Sequence, residues 1–98
     1  MARFDVFELA GGMLVVDCQS DLLRDLQSRF VIPLFGTDEI DDAAPRLNPE
    51  VSVEGRIYRL FPQGAATVSI QELNNWRAGL SDSGLSIIDA IDVLVSGT

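Results

Sequence analysis

The feature that most constrains the fold is a change of hydrophobic period close to the C-terminus. The apolar residues of Leu85–Val95 recur with the period of an α-helix, whereas those before them alternate or form the short runs typical of strands. Strands first and a terminal helix last predict an α+β, mostly β fold, in which a mostly antiparallel sheet or small open barrel packs on one helix. Ser81 or Ser83 is expected to cap this helix and Gly97 to end it. Its predicted apolar stripe comprises Ile87, Ile88, Ile91, Leu94 and Val95, with Val93 on the solvent side.

Turn signals divide the rest of the chain into strands. Apolar side chains change phase within Arg3–Leu9, which predicts a bulge or a strand covered on both faces. A glycine turn then leads into a central strand over Met13–Cys18. Pro33 cannot donate a hydrogen bond to a neighbouring strand, so we expect an edge or a bulge there. The remaining predictions are a tight hairpin at Glu54-Gly55, one helical turn within Asp38–Ala44 and a half-buried strand over Ala66–Ile70.

Composition and charge exclude several classes of function. The 98 residues fit one domain, and a net charge of −8 with no Lys and no His argues against direct binding to nucleic acid. The chain has no apolar run of membrane-spanning length and no signal-peptide pattern, and its single Cys18 cannot form an internal disulfide. We therefore expect a cytoplasmic protein that contacts neither nucleic acid nor membrane, with Cys18 as a core residue.

The residues that could support catalysis do not form a recognisable site. Without His or Lys, the chain lacks an imidazole base, a Schiff-base nucleophile and the commonest metal ligand. The carboxylates within Asp38–Asp42 and the pair Asp89 and Asp92 are expected to be solvated. No catalytic residue, metal or cofactor is predicted, and binding to other proteins is the favoured function.

Two alternatives remain open at this point. A ribonuclease can act without His, and Arg56 and Arg59 with Thr67 or Ser69 are the candidates for such an activity. Trp76 lies in a polar stretch, where it is either an exposed interface anchor or a lid packed over the edge of the sheet.

One long stretch is specific enough to indicate a family. Residues Leu14–Leu34 read LVVDCQSDLLRDLQSRFVIPL, a strand ending in Val-Asp-x-Gln-Ser, a short excursion and then Arg-x-Val-Ile-Pro-Leu. This stretch resembles the CcdB family, the toxin components of bacterial toxin–antitoxin pairs. The matching residues are Val16, Asp17, Gln19, Ser20, Arg29, Val31, Ile32, Pro33 and Leu34. The resemblance continues through Leu47-Asn48-Pro49, Val53-Glu54-Gly55, Val68 and Ile88–Asp92, so that residues 1–98 are interpreted as one toxin domain.

The resemblance implies an SH3-like small barrel of antiparallel strands with a C-terminal α-helix. It implies a homodimer built around that helix, through Ile91, Leu94 and Val95. It also implies binding to the A subunit of DNA gyrase, a type II topoisomerase, whose cleaved DNA complex the toxin traps. The positions that match the gyrase-binding surface are Ser20, Leu22, Leu23, Asp92, Val95, Ser96, Gly97 and Thr98. Leu22 and Leu23 either stand exposed for a partner or fold back onto the core.

The resemblance further implies a cognate antitoxin, which neutralises the toxin and itself binds DNA to repress the operon. The matching positions for antitoxin contact are Val53, Tyr58 and Arg59. DNA would then be reached only through the antitoxin.

The last residues depart from the family pattern. The well-known poison ends aromatic-Trp-Gly-Ile, whereas this chain ends Val95-Ser96-Gly97-Thr98, and Asp92 replaces an Asn. A buried interface Trp can contribute ~2–4 kcal/mol, which Ser cannot replace. One alternative is therefore a family member with a weakened or altered target, and another is a ribonuclease toxin of the related MazF-like fold.

Overall fold

The computed structural model describes residues 2–97, in which seven strands are followed by one α-helix. Strands first and a helix last is the predicted order, although the strand at 76–79 is not among those predicted. The strands are β1 (Asp5–Glu8), β2 (Leu14–Asp17), β3 (Ser28–Gly36), β4 (Glu50–Val53), β5 (Arg56–Leu60), β6 (Ala66–Ser69) and β7 (Trp76–Gly79). The helix α1 spans Gly84–Ser96, and short 3-10 turns lie at Asp21–Leu23, Pro62–Gly64, Ile70–Glu72 and Ser81–Ser83. The acidic segment 38–44 forms turns and bends instead of the predicted helical turn.

All strand pairs are antiparallel, and the sheet curls into a half-barrel with the helix against it. The strand order is β4-β5-β3-β2-β1-β7, and β6 also pairs with β3. This confirms the predicted α+β, mostly β fold. The long strand β3 is its centre, because it pairs with β2 on one side and with β6 and β5 in succession on the other.

The phase change in the first strand corresponds to two features of the fold. Val6 and Phe7 are both buried but belong to different apolar clusters, on opposite faces of the sheet. Between them the register with β7 shifts: Val6 lies opposite Ala78 and Phe7 opposite Trp76. The extra residue is Arg77 on β7, and the register of β1 with β2 is regular, so the predicted strand covered on both faces is confirmed while the bulge lies on the partner strand instead.

Pro33 lies in the middle of the sheet, which corrects the prediction of an edge or bulge. It pairs with Val15 on one side. On the other side β3 changes partner, from β6 up to Val31 to β5 from Leu34 onward. The missing N–H therefore falls at the junction of two partner strands, while the Pro33 carbonyl accepts a hydrogen bond from the Phe61 amide at 3.0 Å.

Helix α1 packs on the sheet through Ile87 and Ala90, which are fully buried. Its first residue, Gly84, lies directly against the Phe4 ring. Ser83 occupies the N-cap position, although its side chain makes no capping hydrogen bond, and Gly97 ends the helix in the left-handed conformation at φ 74°. The predicted helix and its C-terminal stop are thus confirmed.

The outer half of the helical stripe differs from the prediction. Val93, expected on the solvent side, is half-buried because it lies one turn after buried Ala90. Leu94 lies two turns after Ile87 on the packed side, yet nearly half of its surface is exposed, and Val95 is 78% exposed. The last turn of α1 therefore presents apolar side chains that the body of this chain does not cover.

Candidate target-binding site

The segment between β2 and β3, residues 20–27, presents a set of exposed leucines; we call it the leucine loop. Its 3-10 turn, Asp21–Leu23, is capped by Ser20, whose hydroxyl accepts a hydrogen bond from the Leu22 amide at 3.2 Å. Leu22 is 94% exposed, and about half of the surface of Leu23 and of Leu26 is exposed. The leucines do not fold back onto the core. Leu26, which the sequence analysis did not single out, belongs to the same surface.

The loop is attached to the sheet by polar contacts. The carboxylate of Asp21 accepts a hydrogen bond from the Arg3 amide at 3.1 Å, and the Gln19 side chain donates to the Leu23 carbonyl at 3.0 Å. Beneath the loop lies a buried ion pair, in which the Arg29 Nε donates to the Asp17 carboxylate at 2.8 Å. Both charged side chains are almost completely shielded from solvent. A pair of this kind is costly to desolvate but strongly destabilising to break, so it fixes β2 and β3 where the loop leaves them.

The predicted residues at the end of α1 are also at the surface. Asp92 and Val95 are exposed, and Ser96 donates its hydroxyl to the Asp92 carbonyl at 2.7 Å. Gly97 is exposed and terminates the helix. Thr98 lies outside the described residues.

The two parts of the predicted gyrase-binding surface are not packed on each other. Among the described elements, α1 lies closest to Pro62–Gly64 and Ser81–Ser83, and the turn Asp21–Leu23 is not one of its close neighbours. The loop is instead tied to the chain start through Arg3. A single partner that used both parts would therefore have to span them.

The hairpin β4–β5 carries the positions predicted to contact an antitoxin, and the side chain of one of them is buried. Val53 is 2% exposed and packs in the main apolar cluster, because alternate residues of β4 face the core. Its side chain is therefore unavailable to a partner. Tyr58 and Arg59 are half-buried, and Arg59 donates to the Asn48 carbonyl at 2.6 Å.

A cleft of about 400 Å³ adjoins Tyr58, between the β1–β2 turn and β5. Its lining includes Glu39 and Arg56, and the Arg56 guanidinium lies 5.4 Å from the centre of the Tyr58 ring. The cleft thus combines an aromatic ring with charges of both signs. The sequence offered no signal for Glu39 or Arg56 here, because they come from separate segments.

The ribonuclease candidates are not brought together. Arg59 lies opposite Phe35 on β3, whereas Thr67 lies opposite Phe30, and five residues of strand correspond to roughly 17 Å. Arg59 also makes an ion pair with Glu50 at 3.3 Å. The geometry gives no cluster of guanidinium and hydroxyl groups at these positions.

The other titratable candidates are accounted for by structural contacts. The Arg46 guanidinium hydrogen-bonds Asp89 through two nitrogens, at 2.8 and 3.2 Å, and this holds the pKa of the Asp89 carboxyl below its ordinary value. Burial, with a smaller contribution from Asp17, raises the pKa of the Cys18 thiol to about 12, so the thiol stays protonated at neutral pH. Within residues 2–97 no group of three or more possible ligands could hold a metal ion. None of the described helices is long and apolar enough to cross a membrane.

Comparisons with known proteins agree with this architecture. The solved structure of Mycobacterium tuberculosis toxin MazF-mt6 superposes with a TM-score of 0.71 over 93% of each chain, at 14% sequence identity. That likeness establishes the class of fold, a half-barrel with a terminal helix. No curated protein sequence matches the chain. The family model described as CcdB protein matches residues 3–97, and the chain therefore belongs to the CcdB family of toxins from toxin–antitoxin systems.

Proposed function

We propose that this protein is a CcdB-type toxin that acts by binding, without catalysis, to the A subunit of DNA gyrase, whose cleaved DNA complex it traps. The observation that carries the proposal is the exposure of Leu22 at the tip of the leucine loop, at a position that matches the family's target-binding surface. Burying a leucine side chain against a partner contributes about 1.5–3 kcal/mol. A fully exposed leucine held by a hydrogen-bonded turn is suited to that role.

The end of α1 supplies the second part of the proposed surface. Val95 adds apolar area, while Ser96 stands where the known poison has a tryptophan. Binding should therefore be weaker than with the aromatic terminus, or directed to a different topoisomerase surface. The double variant Ser96→Trp with Thr98→Ile should tighten binding to the gyrase A subunit at least ~10-fold, because a buried interface Trp contributes ~2–4 kcal/mol.

A homodimer is part of the proposal. Leu94 and Val95 are exposed although they continue the apolar stripe of α1, and Ile91 beside them is only half-buried. A second copy packed against this last turn would remove the surface of Ile91 and Leu94 from water. Val95, the most exposed of the three, would lie at the edge of this contact and would keep surface for the target beside Ser96.

A cognate antitoxin is proposed to bind beside the hairpin β4–β5, over Tyr58 and Arg59 and into the adjoining cleft. The net charge of −8 favours a partner with a basic segment, and it disfavours direct contact of the toxin with DNA. In the neutralised complex, the antitoxin alone would contact DNA, and the toxin would be held there through the antitoxin.

Ribonuclease activity is the second candidate, because one structurally similar protein is a MazF toxin. The wide separation of Arg59 from Thr67 and the ion pair of Arg59 with Glu50 favour the binding function instead. Expression that arrests growth with cut transcripts and intact chromosomes would support the ribonuclease.

The proposed function is tested with one pair of matched leucine variants. Leu22→Glu should weaken calorimetric binding to the purified gyrase A subunit at least ~10-fold, because a charge would replace buried apolar area. It should also abolish the trapping of cleaved plasmid by gyrase. Leu85→Glu is the control, since Leu85 is 89% exposed at the start of α1, outside the proposed surface. Equal loss in both variants, or a wild-type protein that does not bind the A subunit, would contradict the proposal.

A further inference from the structure

Gln19 is a nearly buried amide whose two ends bridge separate parts of the chain. It is 8% exposed, in contrast to the loop that follows it. Its Nε2 donates to the Leu23 carbonyl at 3.0 Å, inside the leucine loop. Its Oε1 accepts a hydrogen bond from the Phe30 amide at 3.0 Å, on β3. The side chain therefore connects the loop to the strand that re-enters the sheet.

Gln19 is itself held in place by the buried ion pair. Its backbone amide donates to one oxygen of the Asp17 carboxylate at 3.1 Å. The other oxygen of Asp17 accepts from Arg29, whose Nη2 lies 2.7 Å from it. Arg29, Asp17, Gln19 and Leu23 thus form a continuous chain of polar contacts from the interior of the sheet to the loop.

The tip of the loop has no apolar packing that would define its conformation. None of the residues in the turn Asp21–Leu23 is buried, so apolar packing does not fix it. Besides Gln19, the turn is held by the Ser20 hydroxyl and by the contact of Asp21 with Arg3, which are both exposed to water. Backbone hydrogen bonds within the loop also hold it, such as the Leu23 amide to the Ser20 carbonyl at 2.9 Å, and at its far end the Gln27 carbonyl accepts from the Ile70 amide at 3.0 Å. Hydrogen bonds shielded from water hold a conformation better than exposed ones, because water competes less for their partners.

We propose that Gln19 is a positioning residue, which holds the leucine loop in the conformation that presents Leu22 and Leu23 to the target. This inference rests on the proposed function for its biological meaning, although the effect on the loop can be measured without it. A preorganised loop loses less conformational freedom when it binds, so loss of the Gln19 contacts should weaken target binding while leaving the sheet intact.

The principal variant is Gln19→Met, which keeps a side chain of similar length and removes both hydrogen bonds. Amide hydrogen exchange of Leu22, Leu23 and Arg24 should accelerate roughly 10-fold or more, while exchange of Val15 and Ile32 in the sheet stays close to wild type. Affinity for the gyrase A subunit should fall by a similar factor. Gln71→Met is the matched control, because Gln71 is exposed and lies on a different turn.

A second variant separates the two hydrogen bonds. Gln19→Glu keeps an oxygen for the Phe30 amide but loses the donor to Leu23, so it should also release the loop and weaken binding. This variant also serves if Gln19→Met does not fold. If neither folds, or if sheet and loop amides accelerate together, Gln19 supports the fold as a whole and the inference is overturned.

The failures of the two proposals are distinguishable. If the wild-type protein does not bind the A subunit, the proposed function is contradicted. The rate of amide hydrogen exchange in the leucine loop of Gln19→Met then still shows whether Gln19 holds the loop in place. Unchanged loop exchange overturns the inference. Faster loop exchange with unchanged affinity, in a wild-type protein that does bind, also overturns it.

Discussion

Cys18 illustrates how burial at a single position decides the chemistry of a side chain. It is the only cysteine, it is buried at the end of β2, and its Sγ points to the Val16 carbonyl at 3.6 Å. Burial raises the pKa of its thiol from 9.0 to about 12. Because the thiolate is the reactive form, the residue is a core side chain under ordinary conditions, as the sequence predicted.

This pKa predicts a specific loss of stability in alkali. Below about pH 9 the thiol is protonated in both states and contributes no pH dependence. Between about pH 9 and 12 the unfolded chain loses this proton while the folded chain retains it, so the free energy of unfolding should fall by up to ~1.4 kcal/mol per pH unit. Urea unfolding at about pH 8 and about pH 10.5 measures the difference, and Cys18→Ala should reduce it. An equal alkaline loss in Cys18→Ala would contradict the assignment.

Among the elements, the hairpin β4–β5 depends on two consecutive residues in the left-handed region. Glu54 has a φ of 52° and Gly55 a φ of 83°. This is the backbone that a two-residue turn needs to match the twist of its strands, and it confirms the hairpin predicted from Glu54-Gly55. Glycine adopts this backbone conformation without strain, whereas a residue with a Cβ adopts it only at an energetic cost.

Gly55→Ala should therefore destabilise the protein through the backbone alone. A Cβ built at Gly55 meets nothing within 4 Å, so no steric clash contributes. We expect a loss of about 1–2 kcal/mol in the free energy of unfolding by urea. Gly11→Ala is the control, because its Cβ would also meet nothing and its φ is not in the left-handed region. Equal effects of the two substitutions would show that the turn conformation is not the cause.

At the scale of the whole molecule, Arg77 connects parts of the sheet that are far apart in strand order. It is the extra residue of the bulge on β7, and bulges re-aim side chains. Its guanidinium makes ion pairs with Glu8 on β1 and with Glu54 in the β4–β5 turn, the latter at 2.5 Å. Since β4 and β7 are at opposite ends of the strand order, the Arg77–Glu54 ion pair links the two ends of the sheet.

Arg77→Met should lower the thermal midpoint of unfolding by a few degrees at low salt. The side chains involved are partly exposed, so the effect should shrink as the screening length falls from ~10 Å at 0.1 M salt to ~3 Å at 1 M. A double-mutant cycle with Glu54→Gln should show coupling between the two residues. Arg24→Met is the control, because Arg24 is exposed and makes no ion pair within the described part of the chain. A loss that does not depend on salt would contradict the electrostatic explanation.

The candidate site was only partly predictable, because exposure at each position depends on segments distant in sequence. Ser20, Leu22, Leu23 and Val95 do lie at the surface. Val53 does not, since alternate residues of β4 face the core and Val53 is one of them. Leu26 and Trp76 are large exposed apolar residues; the sequence analysis did not single out Leu26, and it left Trp76 open between an exposed anchor and a packed lid, of which its 58% exposure favours the anchor.

The sequence by itself determined six of the seven strands and the terminal helix, the burial of both faces of the first strand, the β4–β5 turn and the end of the helix at Gly97, but it did not reveal β7. Each depends on backbone preferences and hydrophobic period within a few neighbouring residues, which local sequence contains. Only the tertiary structure decided that Pro33 lies at a junction of two strands, that Val93 is more buried than Val95, and that Arg77 meets Glu54. These outcomes depend on which segments, distant in the sequence, come into contact when the sheet curls. The burial of a side chain is set by those contacts, so local sequence does not contain it.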